Sequence, residues 1–240
     1  MKHLPRTILF DLDDTIVAYD AASEGCWHEA CAHYAAELHG QPSDALYAKI
    51  HECSMWFWGD EERFRLGRLN LAEARRQIVA AALEALGTPN PDVAKKIAHL
   101  RTELHEQRIV PFPGALDVIR KLHKARVQLG LITNGASDKQ RTKINRHQLE
   151  SYFSCIVVEG EFGCGKPDAR VFRHALAQLD TKPSETWMVG DNLLHDIAAA
   201  QALGIKGIWH DFRGKGLPAD APCKPDRIIR TLEELLTMAS

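Results

Sequence analysis

The chain has 240 residues, 45% of them hydrophobic and 26% charged, with a formal net charge of -2. This composition suits one large or two modest globular domains and excludes disordered and fibrous classes. The near-neutral balance carries no polybasic signal, so nucleic acid and anionic membrane are not expected partners, and no apolar stretch approaches a membrane span.

The opening apolar run Ile8-Leu9-Phe10 lacks polar alternation, as expected of a strand buried on both faces. It ends in Asp11, Asp13 and Asp14, a concentration of negative charge that calls for something positive nearby. From Asp20 to Arg108 the pattern is helical: Asp20–Leu38 stopped by Gly40 and Pro42, then Ser43 towards Trp56, an irregular or short-helical stretch from Gly59 to Gly67, and two further helices. Asn70 with Glu73 reads as a capping box for a helix through Leu86, and Pro91 opens another to Gln107. Pro111-Phe112-Pro113 marks a stiff link, after which strands and helices alternate.

Strands are predicted over 127–132, 156–158, 186–189, 205–209 and 227–229. Helices are predicted from Pro113 to Lys124, Ser137 to His147, Asp168 to Asp180, Leu193 to Leu203 and Thr231 to Met238, with a Gly-rich loop from Gly160 to Gly165. The expected fold is α/β, a Rossmann-like doubly wound parallel sheet formed by residues 1–17 and 109–240, interrupted by an all-helical domain at 18–108.

The six cysteines contain no Cys-x-x-Cys pair, and the N-terminal apolar run is too short for a signal peptide, so free thiols in a cytoplasmic protein are expected. Of the twelve histidines, His28, His33 and His39 do not return to one helix face, and ordinary surface or half-buried roles fit them better than metal binding.

Four polar clusters fall just past predicted strands or at the next helix start: Asp11/Asp13, Thr133/Asn134, Lys166, and Asp191 with Asp196. Parallel strands point the same way, so these clusters meet at one sheet edge. Four carboxylates against one lysine cannot rest together undisturbed. A divalent cation resolves the excess, and oxygen donors without Cys or His select Mg²⁺.

The arrangement resembles the haloacid dehalogenase superfamily, subfamily I with a type 1 helical cap, in its phosphatase branch. Asp11-Leu12-Asp13 with Thr15 matches its first motif, Thr133-Asn134 its second, Lys166 in Gly165-Lys166-Pro167-Asp168 its third, and Gly190-Asp191 with Asp196 its fourth. The likeness covers the core, while in the insert it is architectural only. It implies Mg²⁺-dependent hydrolysis of a small phosphorylated metabolite, by a monomer or homodimer, through an aspartyl-phosphate. Asp11 is then the nucleophile and Asp13 the general acid and base. Thr133, Asn134 and Lys166 hold the phosphoryl oxygens, with Lys166 also counted as catalytic. Asp11, the Asp13 carbonyl and Asp191 hold the metal, with Asp196 an occasional ligand or a partner behind the ligands.

The acid at Asp13 favours phosphate ester chemistry over halide displacement, which needs no proton donor. Phosphoglucomutase-like transfer is the first alternative, ahead of dehalogenation and of a non-catalytic scaffold. Substrate choice is expected on the helical insert. There Trp58, Arg63, Arg65 and Arg68 are the candidate substrate contacts, while Trp56 and Phe57 are expected to pack internally. Gly163 and Cys164 are expected to shape the loop before Lys166.

Overall fold

The structure is a computed structural model that describes residues 4–38 and 42–237. The chain forms two compact units, one from 1–18 and 110–240 and the other spanning 19–109. In chain order, strand β1 (Thr7–Phe10) and the short β2 (Val17–Ala18) come first. The insert contributes α1 (Ser23–Tyr34), α2 (Ser43–Trp58), α3 (Glu61–Gly67), α4 (Leu71–Ala85) and α5 (Pro91–Arg108). Then follow β3 (Val110–Pro111), α6 (Ala115–Lys124), β4 (Gln128–Thr133), α7 (Ser137–Arg146), β5 (Cys155–Val158), α8 (Glu159–Phe162) and α9 (Ala169–Gln178). The chain continues with β6 (Thr186–Gly190), a π-turn at Leu193–Ala198 running into α10 (Ala199–Gln201), β7 (Lys206–His210), β8 (Arg227–Ile229) and α11 (Glu234–Thr237).

The core unit is a six-stranded parallel sheet in the order β5-β4-β1-β6-β7-β8. All four residues of β1 are buried, because it pairs on both edges: Phe10 lies opposite Leu131 of β4 and Val189 of β6. The chain leaves β1 to build one side of the sheet and returns to build the other. The carboxyl end of β1 is therefore the switch point, where open α/β sheets bind ligands. Helix α9 shows how the helices are fixed to the sheet. The Asp168 side chain accepts from the Arg170 amide at 2.9 Å to cap its start. Val171, Phe172, Ala175 and Leu176 then recur on one face and pack with Leu9, Ile132 and Met188. Burying a side chain the size of Phe172 contributes about 1.5–3 kcal/mol.

The helical unit has its own core of Leu46, Ile50, Phe57, Ile78, Val79, Leu83, Val93 and Ile97. Asn70 and Asn90 cap α4 and α5 by accepting from the amides of Glu73 and Val93. No strand occurs in this unit among the described residues.

The 59–67 stretch takes the short-helical one of its two expected forms, α3, because Asp60 accepts from the Arg63 amide at 2.8 Å and caps its start. Other local expectations are corrected. The Gly-rich segment opens with α8, Gly163 ending it at φ +88°. The 193–203 helix begins as a π-turn, with the Ile197 amide reaching back to the Asn192 carbonyl. The last helix starts at Glu234 rather than Thr231, and Met238 lies outside the described residues, as do His39 and Gly40. The antiparallel pair β2–β3, Val17 opposite Pro111, is additional to the expected strands.

Candidate active site

Asp11 follows β1 directly, and its amide still donates to the Val189 carbonyl at 2.9 Å, so the backbone is fixed in the sheet up to this carboxylate. Beyond it the chain turns tightly. Leu12 accepts from the amides of Ile16 and Val17, and Asp14 sits at φ +57° with its carbonyl 3.0 Å from His210 Nδ1. Asp14 is thus a buried turn residue. Thr15 Oγ1 donates to Asp11 Oδ2 at 3.3 Å.

Lys166 Nζ lies 2.6 Å from Asp11 Oδ1 and 2.6 Å from Asp196 Oδ1, with all three residues buried. The Asp196 contact is close enough for an ion pair, but its direction is poor for a hydrogen bond, so Oδ1 has no well-formed partner. The other oxygen accepts from the Asn192 amide at 2.9 Å. Asp196 is thereby drawn inward rather than left on a solvent-facing helix. Gly190 permits this approach, since a Cβ there would come within 2.3 Å of Asp196 Oδ2. Asp191 is placed by the end of β6 and by Trp209 Nε1, which donates to its carbonyl at 2.7 Å.

Carboxylate oxygens of Asp11, Asp191 and Asp196 lie within 4.8 Å of one another. Burial, opposed by Lys166 and reinforced by Asp196, pushes the Asp11 pKa up to about 7. Burial and the Asp11 charge likewise raise Asp191 well above the ordinary carboxylate range. Burial works against the charge of Lys166, but Asp11 and Asp196 outweigh it and its pKa is raised. Three converging acids against one ammonium leave an excess of negative charge. That excess and the all-oxygen donor set fit a hard divalent cation.

Thr133 ends β4 and is buried, and Asn134 follows it. Asn134 and Lys166 clasp each other: Asn134 Nδ2 donates to the Lys166 carbonyl and its Oδ1 accepts from the Lys166 amide, both at 2.8 Å. A Cβ on Gly165 would collide with Asn134 Oδ1 at 2.5 Å, so that residue must stay small. Asn134 thus positions the Lys166 backbone through its side chain.

Asp13 is held by side chains of α7. Lys143 Nζ donates to both its oxygens at 2.6 Å, and Gln140 Nε2 donates to Oδ2 at 3.0 Å and to Thr133 Oγ1. The sequence reading missed Gln140 and Lys143. It also missed Glu159, which is buried and accepts from the Gly135 amide at 2.9 Å. One signal was available: Gln140, Lys143 and Ile144 share one face of α7, an apolar position carrying polar company.

Among the candidate substrate contacts on the insert, Arg63, Arg68 and Trp58 engage neighbours in the same segment. Arg63 donates to the carbonyls of Trp56 and Phe57, closing the end of α2, and stacks over the Trp56 ring at 3.9 Å. Arg68 lies over Phe64 and Arg65 is exposed, while Trp58 packs edge-on against Phe57 and Phe64. Phe57 is buried as expected, but Trp56 is 59% exposed, which corrects its assignment to the packed interior. His28 stacks on Tyr47, and His33 lies edge-on to Tyr34.

The family model for haloacid dehalogenase-like hydrolases matches residues 8–210. A phosphoserine phosphatase of Thermus thermophilus is 35% identical over 163 residues, covering 67% of this chain and 63% of that protein. A glyceraldehyde 3-phosphate phosphatase of Pyrococcus furiosus is 29% identical over 238 residues, covering 96% and 91%. A magnesium-bound HAD-hydrolase of Bacillus subtilis shares the fold, with a TM-score of 0.75 at 24% identity over 98% of this chain and 99% of that one. The match takes in the strand end at Asp11, the second strand end at Thr133, Lys166 and the acids after β6, and the chain belongs to the haloacid dehalogenase-like hydrolase family.

Proposed function

We propose that the chain is a Mg²⁺-dependent phosphatase of small phosphorylated metabolites, working through an aspartyl-phosphate on Asp11. The observation that carries this is the buried Asp11–Lys166–Asp196 group with a second carboxylate, Asp13, held two residues from the nucleophile.

Asp11, the Asp13 carbonyl and Asp191 would hold the cation, with Asp196 behind them or as a further ligand. When bound, the cation screens the charge between the carboxylate and the phosphate dianion and polarises the phosphoryl group. Asp11 attacks phosphorus and the ester oxygen leaves, taking a proton from Asp13. Asp13 then takes a proton from water as that water attacks the same phosphorus, and the Asp11 carboxylate is released with inorganic phosphate.

Lys166, fixed by Asn134 at its backbone, offers its ammonium to the phosphoryl oxygens, and Thr133 offers its hydroxyl. Gln140 and Lys143 keep Asp13 in a defined place. Phosphatase-named relatives support the reaction class, while the substrate is left to a panel of phosphorylated metabolites.

The test is p-nitrophenyl phosphate turnover with Mg²⁺, after chelation, and in Asp11→Asn. Activity that depends on both the cation and Asp11 is expected. An inactive wild type across several divalent metals and a broad panel of phosphate esters overturns the reading.

A further inference from the structure

Helices α4 and α5 each carry an arginine on the face that should be apolar. In α4 the buried stripe is Ala74, Arg75, Ile78, Val79, Ala82 and Leu83, and in α5 it is Val93, Ala94, Ile97, Ala98, Arg101 and His105. Arg75 is 7% exposed and Arg101 4%. Arginine is almost never fully buried unless paired with an acid.

Here the partners are neutral. Arg75 Nη1 donates to Thr102 Oγ1 at 2.9 Å and Nη2 to the Tyr19 hydroxyl at 3.1 Å. Arg101 Nη2 donates to Ser23 Oγ at 2.6 Å, and its guanidinium lies 5.2 Å from the Trp27 ring. The N–H groups on Arg101 Nε and Nη1 are buried and make no well-formed hydrogen bond, with the Tyr19 hydroxyl the polar group near the same guanidinium. Among the described residues, neither guanidinium forms an ion pair with a carboxylate.

We infer that Arg75 and Arg101, with Tyr19, Ser23 and Thr102, form a binding site in the helical unit for a compact oxyanion, a carboxylate or a phosphate. Two like charges brought together away from water, with donors left over, are what an anion needs and what a purely structural cluster avoids. Burial and then the neighbouring Arg75 charge lower Arg101 to about 10, the direction expected when no acid compensates. Arginine donors also suit flat carboxylate and phosphate oxygens better than chloride.

The anion has two possible sources, a second acidic group of the substrate or a free small anion, and the substrate source alone rests on the phosphatase reading. The first experiment is independent of that reading. In ¹⁵N NMR of the full chain, the Arg101 Nε–H signal is the one lost in Arg101→Lys. Titration with acetate or inorganic phosphate, in the wild type and in Asp11→Asn, should shift it saturably. Chloride at matched ionic strength should not, and Arg75→Met should weaken the response about tenfold or more. No saturable shift with either oxyanion overturns the site.

The second experiment separates the sources. If the substrate supplies the anion, Arg101→Met lowers kcat/KM for phosphomonoesters bearing a second acidic group by about tenfold or more relative to p-nitrophenyl phosphate. If a free anion occupies it, that ratio holds, and acetate raises the melting temperature of the wild type but not of Arg101→Met. Should no phosphate ester be turned over at all, the phosphatase reading fails while the NMR titration still decides the site.

Discussion

Lys143 grips Asp13 with its ammonium 2.6 Å from each carboxylate oxygen, although 130 residues of chain separate them. In the proposed reaction Asp13 delivers a proton to the leaving oxygen, and an acid in that role gains from being held in place, since general acid catalysis contributes about 10²–10⁴-fold only when aligned. Removing the grip should therefore act on chemistry through Asp13.

Lys143→Met is expected to lower kcat on alkyl phosphates on the order of 10- to 100-fold. The loss on p-nitrophenyl phosphate should be smaller, because p-nitrophenolate leaves with little need of a proton. Steady-state kinetics on both substrates checks this. An equal loss on the two would mean that Lys143 supports the fold rather than the acid.

Asp11→Asn removes the proposed nucleophile and one of the crowded buried charges. Turnover should fall by about a thousandfold or more. Without divalent cations, the variant should melt a few degrees above the wild type, since relief of like-charge repulsion of about 1 kcal/mol moves a chain of this size by that much. Thermal melts in EDTA and in Mg²⁺ check it: adding Mg²⁺ should stabilise the wild type more than the variant.

Gly190→Ala places a methyl group 2.3 Å from Asp196 Oδ2, which must then move. The contact of Asp196 with Lys166 goes with it. Mg²⁺ affinity should weaken about tenfold or more, read by calorimetric titration. Global stability should fall by about 1–3 kcal/mol from the steric strain.

Glu161 ties α8 to α7 through Arg141, whose Nε and Nη2 reach its two oxygens at 2.8 and 2.7 Å, with Ser137 Oγ donating as well. The Arg141 bonds hold its pKa down at about 2, against an ordinary 4.5. A lowered carboxylate contributes stability that is complete above the ordinary value and disappears as pH falls through the lowered one. Glu161→Gln should thus cost about 0.5–1 kcal/mol at neutral pH for this partly screened pair. The gap to wild type should close between pH 4.5 and 2, as denaturant melts across that range would show.

What the sequence disclosed followed the reach of its signals. The apolar run to Phe10 and the acids after it gave the central strand and its switch point, because a doubly buried strand and a cluster of charge are both local. Asp191 directly follows β6 and Lys166 stands three residues before α9, so both fall beside recognisable elements.

Gln140 and Lys143 were hidden because a polar helix face normally means solvent, and only the fold shows that Asp13 lies there. Arg75 and Arg101 sit at core-facing positions of two well-formed helices, a conflict visible in the spacing once the helix faces are known. Strands β2 and β3 escaped because two residues cannot show a period and Pro111 argues against a strand. The π-turn at Leu193 depends on Asn192, whose side chain accepts from the amides of Leu194 and His195 at 3.0 and 2.9 Å, a local bond with no periodic signature.

The small ribbon in which Val17 faces Pro111 also has a bearing on descent. It joins the two points where the chain leaves and re-enters the sheet, so residues 19–109 form a closed excursion whose ends meet within the host. An excursion tied off at its base can lengthen, shorten or change its side chains while the register of β1 and the acids beyond it stay as they are. Such a chain can vary the excursion at little cost to the sheet that hosts it.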